Sequence, residues 1–284
     1  MEEIKSLDKI SFDTLFEAFN EAFGSYEVQV NKEELSIILK RRGFVSELSF
    51  GAFDSNKLVA FTLNGIGSFN GLKTAYDTGT GTIKAYRGKG LASKVFTVSI
   101  PFLKEANITQ YLLEVLQHNP NAISVYKNLD FTVSREFNYY VQANTEVKLL
   151  SKDLPAAFYM KETSLDNKEQ FMRFWDFKPS WQNSFEAVQR SIADFKIIGV
   201  YQESKLVGYG IFEPGSGDIT QIAVDKSCRR QGIATVLLKE MIQYNRHSSV
   251  KAVNAETTCE SIDAFLESNG IPLKGKQFEM IKKL

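Results

Sequence analysis

Two short stretches of this sequence could form phosphate-binding turns, RGKGLA at residues 87–92 and RRQGIA at residues 229–234. Both read Arg-x-x-Gly-x-Ala, follow a strand-like run and lead into apolar residues at helical spacing. Backbone N–H groups at a helix start, with the positive end of the helix dipole, suit a pyrophosphate, and glycine lets the backbone approach closely. An ordinary strand-to-helix turn is the alternative for either stretch taken alone.

Neither of the two common nucleotide-binding motifs fits the first stretch. A P-loop has four residues between its first glycine and its Gly-Lys pair, whereas residues 82–87 separate Gly81 from Gly88. A dinucleotide fingerprint needs a third glycine after Gly79 and Gly81, where Lys84 stands. Neither motif therefore identifies the ligand of this stretch.

Two carboxylates near the first stretch could act as a general base. Glu114 interrupts the apolar run LLEVL, and Asp77 lies in AYDTGTG near the start of a long strand. A carboxylate among apolar neighbours has a raised pKa and can accept a proton near neutral pH. For Glu114 a purely structural, hydrogen-bonded role is the alternative.

The elements that must position these residues occur twice. Residues 51–61, GAFDSNKLVAF, and 199–209, GVYQESKLVGY, each predict a β-hairpin. Each hairpin is followed by a strand, the glycine turn, a helix, a further strand and a further helix. The repeat predicts two copies of one domain, residues 1–148 and 149–284, with the boundary in NTEVKLLSKDLP.

Composition limits the classes of function. The 284 residues are 43% hydrophobic, which is enough for a sizeable core, and 34 basic residues balance 34 acidic ones. This balance argues against nucleic acid or an anionic membrane as a main partner. Two cysteines and two histidines predict neither a disulfide framework nor a bound metal. With no apolar leader and no run of 18 apolar residues, we expect a soluble, cytoplasmic protein.

The order of these motifs resembles the GNAT superfamily of acyl-CoA-dependent N-acetyltransferases, and in particular its tandem bacterial members. The shared pattern is strand, R/Q-x-x-G-x-G/A, helix, strand, N-x-x-A-x-x-x-Y. In the first copy Asn119, Ala122 and Tyr126 match the last motif, and Asp130 replaces the family glycine that follows. The resemblance covers roughly residues 45–140 and 195–280. It implies an α/β (α+β) fold with two GNAT-like domains, each a mixed, mostly antiparallel, twisted sheet flanked by helices.

The resemblance also implies that the phosphates are those of coenzyme A, with acetyl-CoA as the co-substrate and no metal. The implied binding residues are Thr82, Ile83, Arg87, Gly88, Lys89, Gly90, Leu91, Ala92 and Asn119 in the first copy, and Arg229, Arg230, Gly232 and Ala234 in the second.

The implied activity is transfer of an acyl group, most readily acetyl, by direct attack of an amine of a small molecule or peptide. Tyr126 occupies the family position for protonating the leaving thiolate, and a core-facing aromatic is the alternative. The second copy has Leu266 in place of Tyr126 and Asn254 in place of Glu114. Because neither can exchange a proton, we expect the first copy to catalyse and the second to be degenerate. An acyl-CoA-binding sensor or scaffold without turnover is the alternative function.

Overall fold

The computed structural model describes residues 2–24, 29–149 and 154–284, and the chain divides into two compact units. The first unit consists of Met1–Val115, Asn119–Ser134 and Glu279–Leu284. The second consists of Leu116–His118 and Arg135–Phe278. Compared with a division after residue 148, residues 116–118 and 135–148 fall in the second unit and 279–284 in the first. Part of the predicted boundary, residues 150–153, lies outside the described residues.

The first unit contains most of the elements in the N-terminal half of the chain. They are β1 (Glu3–Ser6), α1 (Phe12–Phe23), α2 (Lys32–Arg42), β2 (Phe50–Asp54), β3 (Lys57–Phe69), β4 (Leu72–Thr82), α3 (Leu91–Glu105), β5 (Gln110–Leu116), α4 (Pro120–Asn128) and the start of β6 (Thr132–Ala143).

The strands of the first unit follow the order β1-β2-β3-β4-β5. The first three pairings are antiparallel and the last, β4 with β5, is parallel. Helices α1, α2 and α3 bury Leu15, Leu35, Leu39 and Val95 against this sheet, together with Phe61 of β3. The Asn31 side chain begins α2 through a reciprocal capping box with Glu34.

The second unit repeats this sequence of elements. They are β7 (Phe158–Glu162), α5 (Lys168–Met172), α6 (Phe185–Arg190), β8 (Lys196–Gln202), β9 (Lys205–Glu213), β10 (Asp218–Val224), α7 (Ile233–Tyr244), β11 (Ser249–Glu256), α8 (Glu260–Ser268) and the start of β12 (Leu273–Lys283).

The strands of the second unit follow the order β7-β8-β9-β10-β11, and the last pairing is again parallel. Residues of β6 from Phe137 onward pair antiparallel with β11. Alternate residues of β8 enter different apolar clusters, because successive side chains point to opposite faces. Ile197 packs with Phe171 of α5, whereas Ile198 packs with Leu237 of α7. The predicted fold, a mixed and mostly antiparallel sheet flanked by helices in each copy, is confirmed.

None of the helices in the described part of the chain combines the length and the apolar character needed to cross a membrane.

The short segment Glu279–Leu284 belongs to the first unit, although it lies far from the rest of that unit in the sequence. The Lys282 ammonium donates to the Leu129 carbonyl at 2.8 Å, and the Ser134 hydroxyl donates to Glu279 Oε1 at 2.7 Å. Met280, in the same segment, is fully buried. The segment is therefore anchored beside α4 by polar contacts and contributes a buried side chain.

We expect Met280→Ala to lower the free energy of unfolding by about 2–5 kcal/mol, because it removes buried methylenes and leaves a cavity. Urea denaturation followed by circular dichroism measures this change. The matched control is Met172→Ala, since Met172 is 51% exposed and its truncation should cost less than about 0.5 kcal/mol. Equal effects of the two variants would contradict a structural role for the segment.

Candidate active site

A β-bulge precedes each glycine turn at the same position. In the first unit the register of β3 with β4 passes from Leu63–Gly79 to Asn64–Asp77, which leaves Thr78 as an extra residue. In the second unit Thr220 is the extra residue of β10. Within the described residues, parallel pairing with the next strand is confined to the part before each bulge. The bulge thus marks the point where two neighbouring strands cease to pair.

The two glycine turns have the same backbone conformation. In the first unit Gly88 and Gly90 have φ of 78° and 72°, and Gly90 is the N-terminal cap of α3. In the second unit Arg230 and Gly232 have φ of 64° and 89°, and Gly232 caps α7. A non-glycine residue in this left-handed region costs roughly 1–2 kcal/mol. The turn is therefore retained in the second unit despite strain at Arg230.

The arginine that opens each motif fastens the turn to the strand before it. Arg87 Nε donates to the Thr82 carbonyl at 3.1 Å, and Arg229 Nε donates to the Val224 carbonyl at the same distance. A second guanidinium nitrogen of Arg87 donates to the Ala22 carbonyl at the end of α1 at 2.7 Å. These contacts give both arginines a role in shaping the turn.

The first turn has the space and the donors that an anionic ligand needs. A Cβ placed on Gly88 or Gly90 would meet no protein atom within 4 Å. The first turn of α3 presents N–H groups without intrahelical partners and the positive end of the helix dipole. Nearby, the Lys89 ammonium lies 4.4 Å above the Tyr86 ring. The turn therefore fits a pyrophosphate.

Three other residues of the first copy that were predicted to bind coenzyme A make contacts within the protein. The side chains of Ile83 and Leu91 are buried in the core of the first unit. Asn119 caps α4, accepting a hydrogen bond from the Ala122 N–H at 3.1 Å. Their contribution to coenzyme A binding stays a prediction.

Asp77 and Tyr126 come together in the first unit. The Tyr126 hydroxyl donates to Asp77 Oδ2 at 3.0 Å. The same carboxylate accepts from the Thr80 hydroxyl at 2.8 Å and from the Gly79 N–H at 2.9 Å. Burial raises the pKa of the Asp77 carboxyl above its ordinary value, although these three hydrogen bonds and the charge of Arg42 act in the opposite direction. The Asp77 carboxyl and the Tyr126 hydroxyl therefore lie in direct contact, and their catalytic roles stay a prediction.

Glu114 lies on β5, the strand next to β4, and it contacts a different tyrosine. Its Oε2 accepts a hydrogen bond from the Tyr76 hydroxyl at 3.0 Å. Burial, reinforced by the charge of Glu114, raises the pKa of Tyr76 well above its ordinary value. Tyr76 is also influenced by the charges of Asp77 and Arg42, so both carboxylates belong to one electrostatic environment. The sequence did not single out Tyr76 or Arg42.

Two further residues of this environment escaped prediction from the sequence. The Tyr111 hydroxyl donates to Asn64 Oδ1, and burial together with Asp77 and Tyr126 raises the pKa of Tyr111 well above its ordinary value. Tyr111 opens the apolar run in which Glu114 stands, and Asn64 is a polar residue inside a strand that is otherwise buried. A polar residue at a core position is the signal that could have identified Asn64.

The second unit contains a cavity of about 650 Å³ that reaches its glycine turn. The lining comes from Tyr209 of β9, from β10, β11, the turn, the start of α7 and α8, and from residues 174–183 before α6. The residues of the turn and of α7 that line it are Cys228, Arg229, Arg230, Gly232, Ile233, Ala234 and Thr235. The predicted second-copy binding residues are therefore placed around one cavity.

At the positions that match Tyr126 and Glu114 of the first unit, the second unit has an apolar and an amide side chain. Leu266 is fully buried in the apolar core. Asn254, which also lines the cavity, donates to the Ser180 hydroxyl at 2.8 Å and accepts from Gln277. Among the described residues there is also no cluster of three or more His, Cys, Asp or Glu side chains that could hold a metal ion.

Comparison with known proteins defines the class. Residues 12–131 and 162–267 match the model of the Acetyltransferase (GNAT) family. These regions make up more than half of the chain, and they include both glycine turns and the Asp77–Tyr126 pair. The chain therefore belongs to the GNAT family, as the sequence motifs predicted.

Individual proteins resemble this chain in sequence or in fold. The N-alpha-acetyltransferase MAK3 of Arabidopsis thaliana is 29% identical over 104 residues, which cover 36% of this chain and 55% of that protein. This chain thus matches only about half of the relative's length.

Two solved structures share the fold over nearly the whole chain. A tandem GNAT protein from the clavulanic acid biosynthesis pathway has a TM-score of 0.76 at 11% identity, covering 100% of this chain and 98% of that one. A GCN5-related N-acetyltransferase from Sphaerobacter thermophilus has a TM-score of 0.73 at 13% identity, covering 99% and 95%. The first of these confirms the predicted tandem arrangement of the fold.

Proposed function

We propose that this chain is an acyl-CoA-dependent N-acyltransferase that transfers an acyl group, most readily acetyl, to an amine of a small molecule or peptide. We assign the transfer to the first unit. The observation that carries this proposal is the hydrogen bond from the Tyr126 hydroxyl to Asp77 Oδ2, at the bulge before a glycine turn. Family membership and the N-alpha-acetyltransferase relative support the choice of reaction.

The pair can supply both proton transfers that the reaction requires. A lysine-like amine has a pKa near 10.4, so only about one molecule in a thousand is free base at neutral pH. Asp77 takes a proton from the ammonium, and the freed amine attacks the thioester carbon. As the C–N bond forms and the C–S bond breaks, Tyr126 gives its proton to the leaving thiolate, and the attacking nitrogen loses its second proton to solvent. The proton on Asp77 then passes to the Tyr126 oxygen along their shared hydrogen bond, which restores both groups.

Other residues of the first unit bind and orient the co-substrate. The pyrophosphate of acetyl-CoA lies on the N–H groups from Arg87 to Ala92, where Gly88 and Gly90 leave room for it. Arg42, whose guanidinium donates to the Thr78 carbonyl at 3.1 Å, holds the bulge from the side of α2. Glu114 remains the alternative general base, because it faces the same environment through Tyr76.

We expect Gly90→Val to weaken acetyl-CoA binding to the first unit at least tenfold and to abolish turnover, because the new side chain fills the phosphate site. Isothermal titration calorimetry should show the bound ratio fall from about two per chain to about one. Release of free thiol in the presence of an accepted amine measures turnover.

The control for Gly90→Val separates ligand exclusion from backbone strain. Gly71 has φ of 81° and equally open surroundings, at the hairpin between β3 and β4. Gly71→Val should therefore carry the same left-handed strain and retain both binding and turnover. Gly232→Val should lose the second binding event and keep a substantial fraction of turnover. If Gly232→Val were inactive and Gly90→Val active, the assignment of the two units would be reversed.

We expect Tyr126→Phe to lower kcat about 10²–10⁴-fold, the usual contribution of a positioned proton donor, while acetyl-CoA binding changes little. Steady-state thiol release and calorimetry measure the two quantities. The matched control is Tyr159→Phe, since Tyr159 is 43% exposed on β7. An unchanged kcat in single-turnover measurements of Tyr126→Phe would exclude Tyr126 as the acid.

The raised pKa of Asp77 predicts the acid side of the pH profile. The base works only when ionised, so kcat/KM should fall as the pH decreases through a value above the ordinary pKa of about 3.9. Asp77→Asn should remove this decline and reduce kcat/KM about 10²–10⁴-fold, whereas Glu114→Gln should retain the decline. The opposite result for the two variants would make Glu114 the base.

A further inference from the structure

One wall of the cavity in the second unit is formed by residues 174–183, which we call the covering segment. Phe174, Trp175, Asp176, Phe177, Pro179 and Asn183 of this segment line the cavity. Trp181, within it, is only 1% exposed. The covering segment is thus anchored in the protein by a buried side chain and faces the cavity with several others.

One end of the covering segment bridges the two strands between which the cavity opens. The Gln221 side chain of β10 donates to the Asn183 carbonyl at 2.6 Å, and the Asn183 amide donates to the Val253 carbonyl of β11 at 2.7 Å. Asn254 of β11 donates to the Ser180 hydroxyl at 2.8 Å. Within the described part of the chain, β10 pairs in parallel with β11 only at Asp218 and Lys251. Beyond this pair of residues, the covering segment connects β10 to β11 in place of direct pairing between them.

The other end of the covering segment is held by the glycine turn and by α8. Asp176 forms an ion pair with Arg229 of the glycine turn at 3.0 Å, and it accepts a hydrogen bond from the Ser261 hydroxyl of α8 at 3.1 Å. The segment is therefore attached to both sides of the cavity at both of its ends.

Aromatic packing also fixes the start of the covering segment. The Trp175 indole donates to the Tyr209 hydroxyl at 2.7 Å, and Tyr209 donates to Gln221 Oε1 at 2.6 Å. The rings of Phe171 and Tyr209 stack with centroids 3.9 Å apart, and those of Trp175 and Phe185 lie 5.2 Å apart. A second substrate could reach the cavity through this wall only by breaking these contacts.

The described lining of the cavity also has no carboxylate or imidazole in the place that Asp77 has in the first unit. Its described lining contains no Glu, His or Lys, and its single carboxylate, Asp176, is engaged by Arg229 and Ser261. Tyr209 is a poor acid, because burial raises its pKa above the ordinary value. The lining can bind a thioester through its amides and apolar surface, but it cannot carry out the transfer assigned to Asp77 and Tyr126.

We propose that the second unit binds acyl-CoA intact, with the thioester enclosed behind the covering segment and out of reach of amines. This inference rests on the proposed binding of acyl-CoA at the glycine turns, and it adds that the second site protects its ligand. The second unit then reports or stores acyl-CoA while the first unit consumes it.

The test uses the full chain carrying Gly90→Val, so that the first unit does not bind, and hydroxylamine as a small nucleophile. Hydroxylamine attacks the thioester carbon, which forms the hydroxamate and releases coenzyme A as the free thiol. With protein in excess over acetyl-CoA, loss of the thioester absorbance should be at least tenfold slower than in buffer. Adding Gly232→Val should restore the rate in buffer.

Variants of the wall distinguish enclosure from binding alone. Asn183→Ala removes the bridge to Val253 and should increase the rate of thioester loss at least threefold while calorimetry still shows binding. Asn167→Ala is the matched control, since its amide bonds Thr163 at 2.9 Å outside the cavity lining, and it should keep full protection. If Asn183→Ala fails to fold, Trp175→Ala opens the same wall.

A second measurement locates the ligand without altering the wall. Cys259 lines the cavity and is 8% exposed, so acetyl-CoA should slow its alkylation by iodoacetamide at least fivefold, as followed by peptide mass spectrometry. Absence of binding, bound acetyl-CoA consumed as fast as free, or acceleration by amines would each overturn the proposal. Failure to find an accepted amine would affect only the transfer proposed for the first unit, because Gly90→Val removes that unit from this assay.

Discussion

A ligand can lie between two strands of a sheet only where those strands stop pairing. In both units a single extra residue, Thr78 or Thr220, marks this point, and the parallel pairing on its N-terminal side is short. An extra residue bends its strand and increases the local twist. The two strands have therefore already separated at this point. The glycine turn, its arginine and the helix start all come later in the chain.

The side-chain contacts near the point where the strands separate differ between the two units. In the first, Tyr126 and Asp77 join α4 to β4 through a hydrogen bond between a phenol and a carboxylate, two titratable groups. In the second, Asn183 joins β10 to β11 through amides, which hold their protons. The repeated fold thus carries a contact between titratable groups in one copy and a contact through amides in the other. The difference arises from a few side chains rather than from the fold.

The sequence predicted the parts of this arrangement that depend on local pattern. Hairpins, turn glycines and helical spacing repeat at nearly constant distance, so the two copies and their turns could be recognised. The turn in the second copy was predicted from Gly232, but the left-handed conformation at Arg230 was not, because arginine gives no signal for it.

The sequence could not predict contacts made over long distances along the chain. Asp77 and Tyr126 were each proposed for catalysis, yet nothing in their spacing shows that their side chains touch. The bulge at Thr78 was also hidden, since one extra residue does not disturb the composition of a strand. The role of residues 174–183 depends on partners in β10, β11 and α8, and the segment itself has no regular periodicity.

The membership of Glu279–Leu284 in the first unit affects the order in which the protein can fold. These residues are made about 145 positions after Ser134, the last preceding residue of that unit. At a synthesis rate of about 5–20 residues per second, the delay is roughly 7–30 s. During this time the Leu129 carbonyl and the Ser134 hydroxyl lack the partners that Lys282 and Glu279 later provide. The second unit ends at Phe278 and does not include these late residues. The half of the chain that is made later can therefore be the first to finish folding.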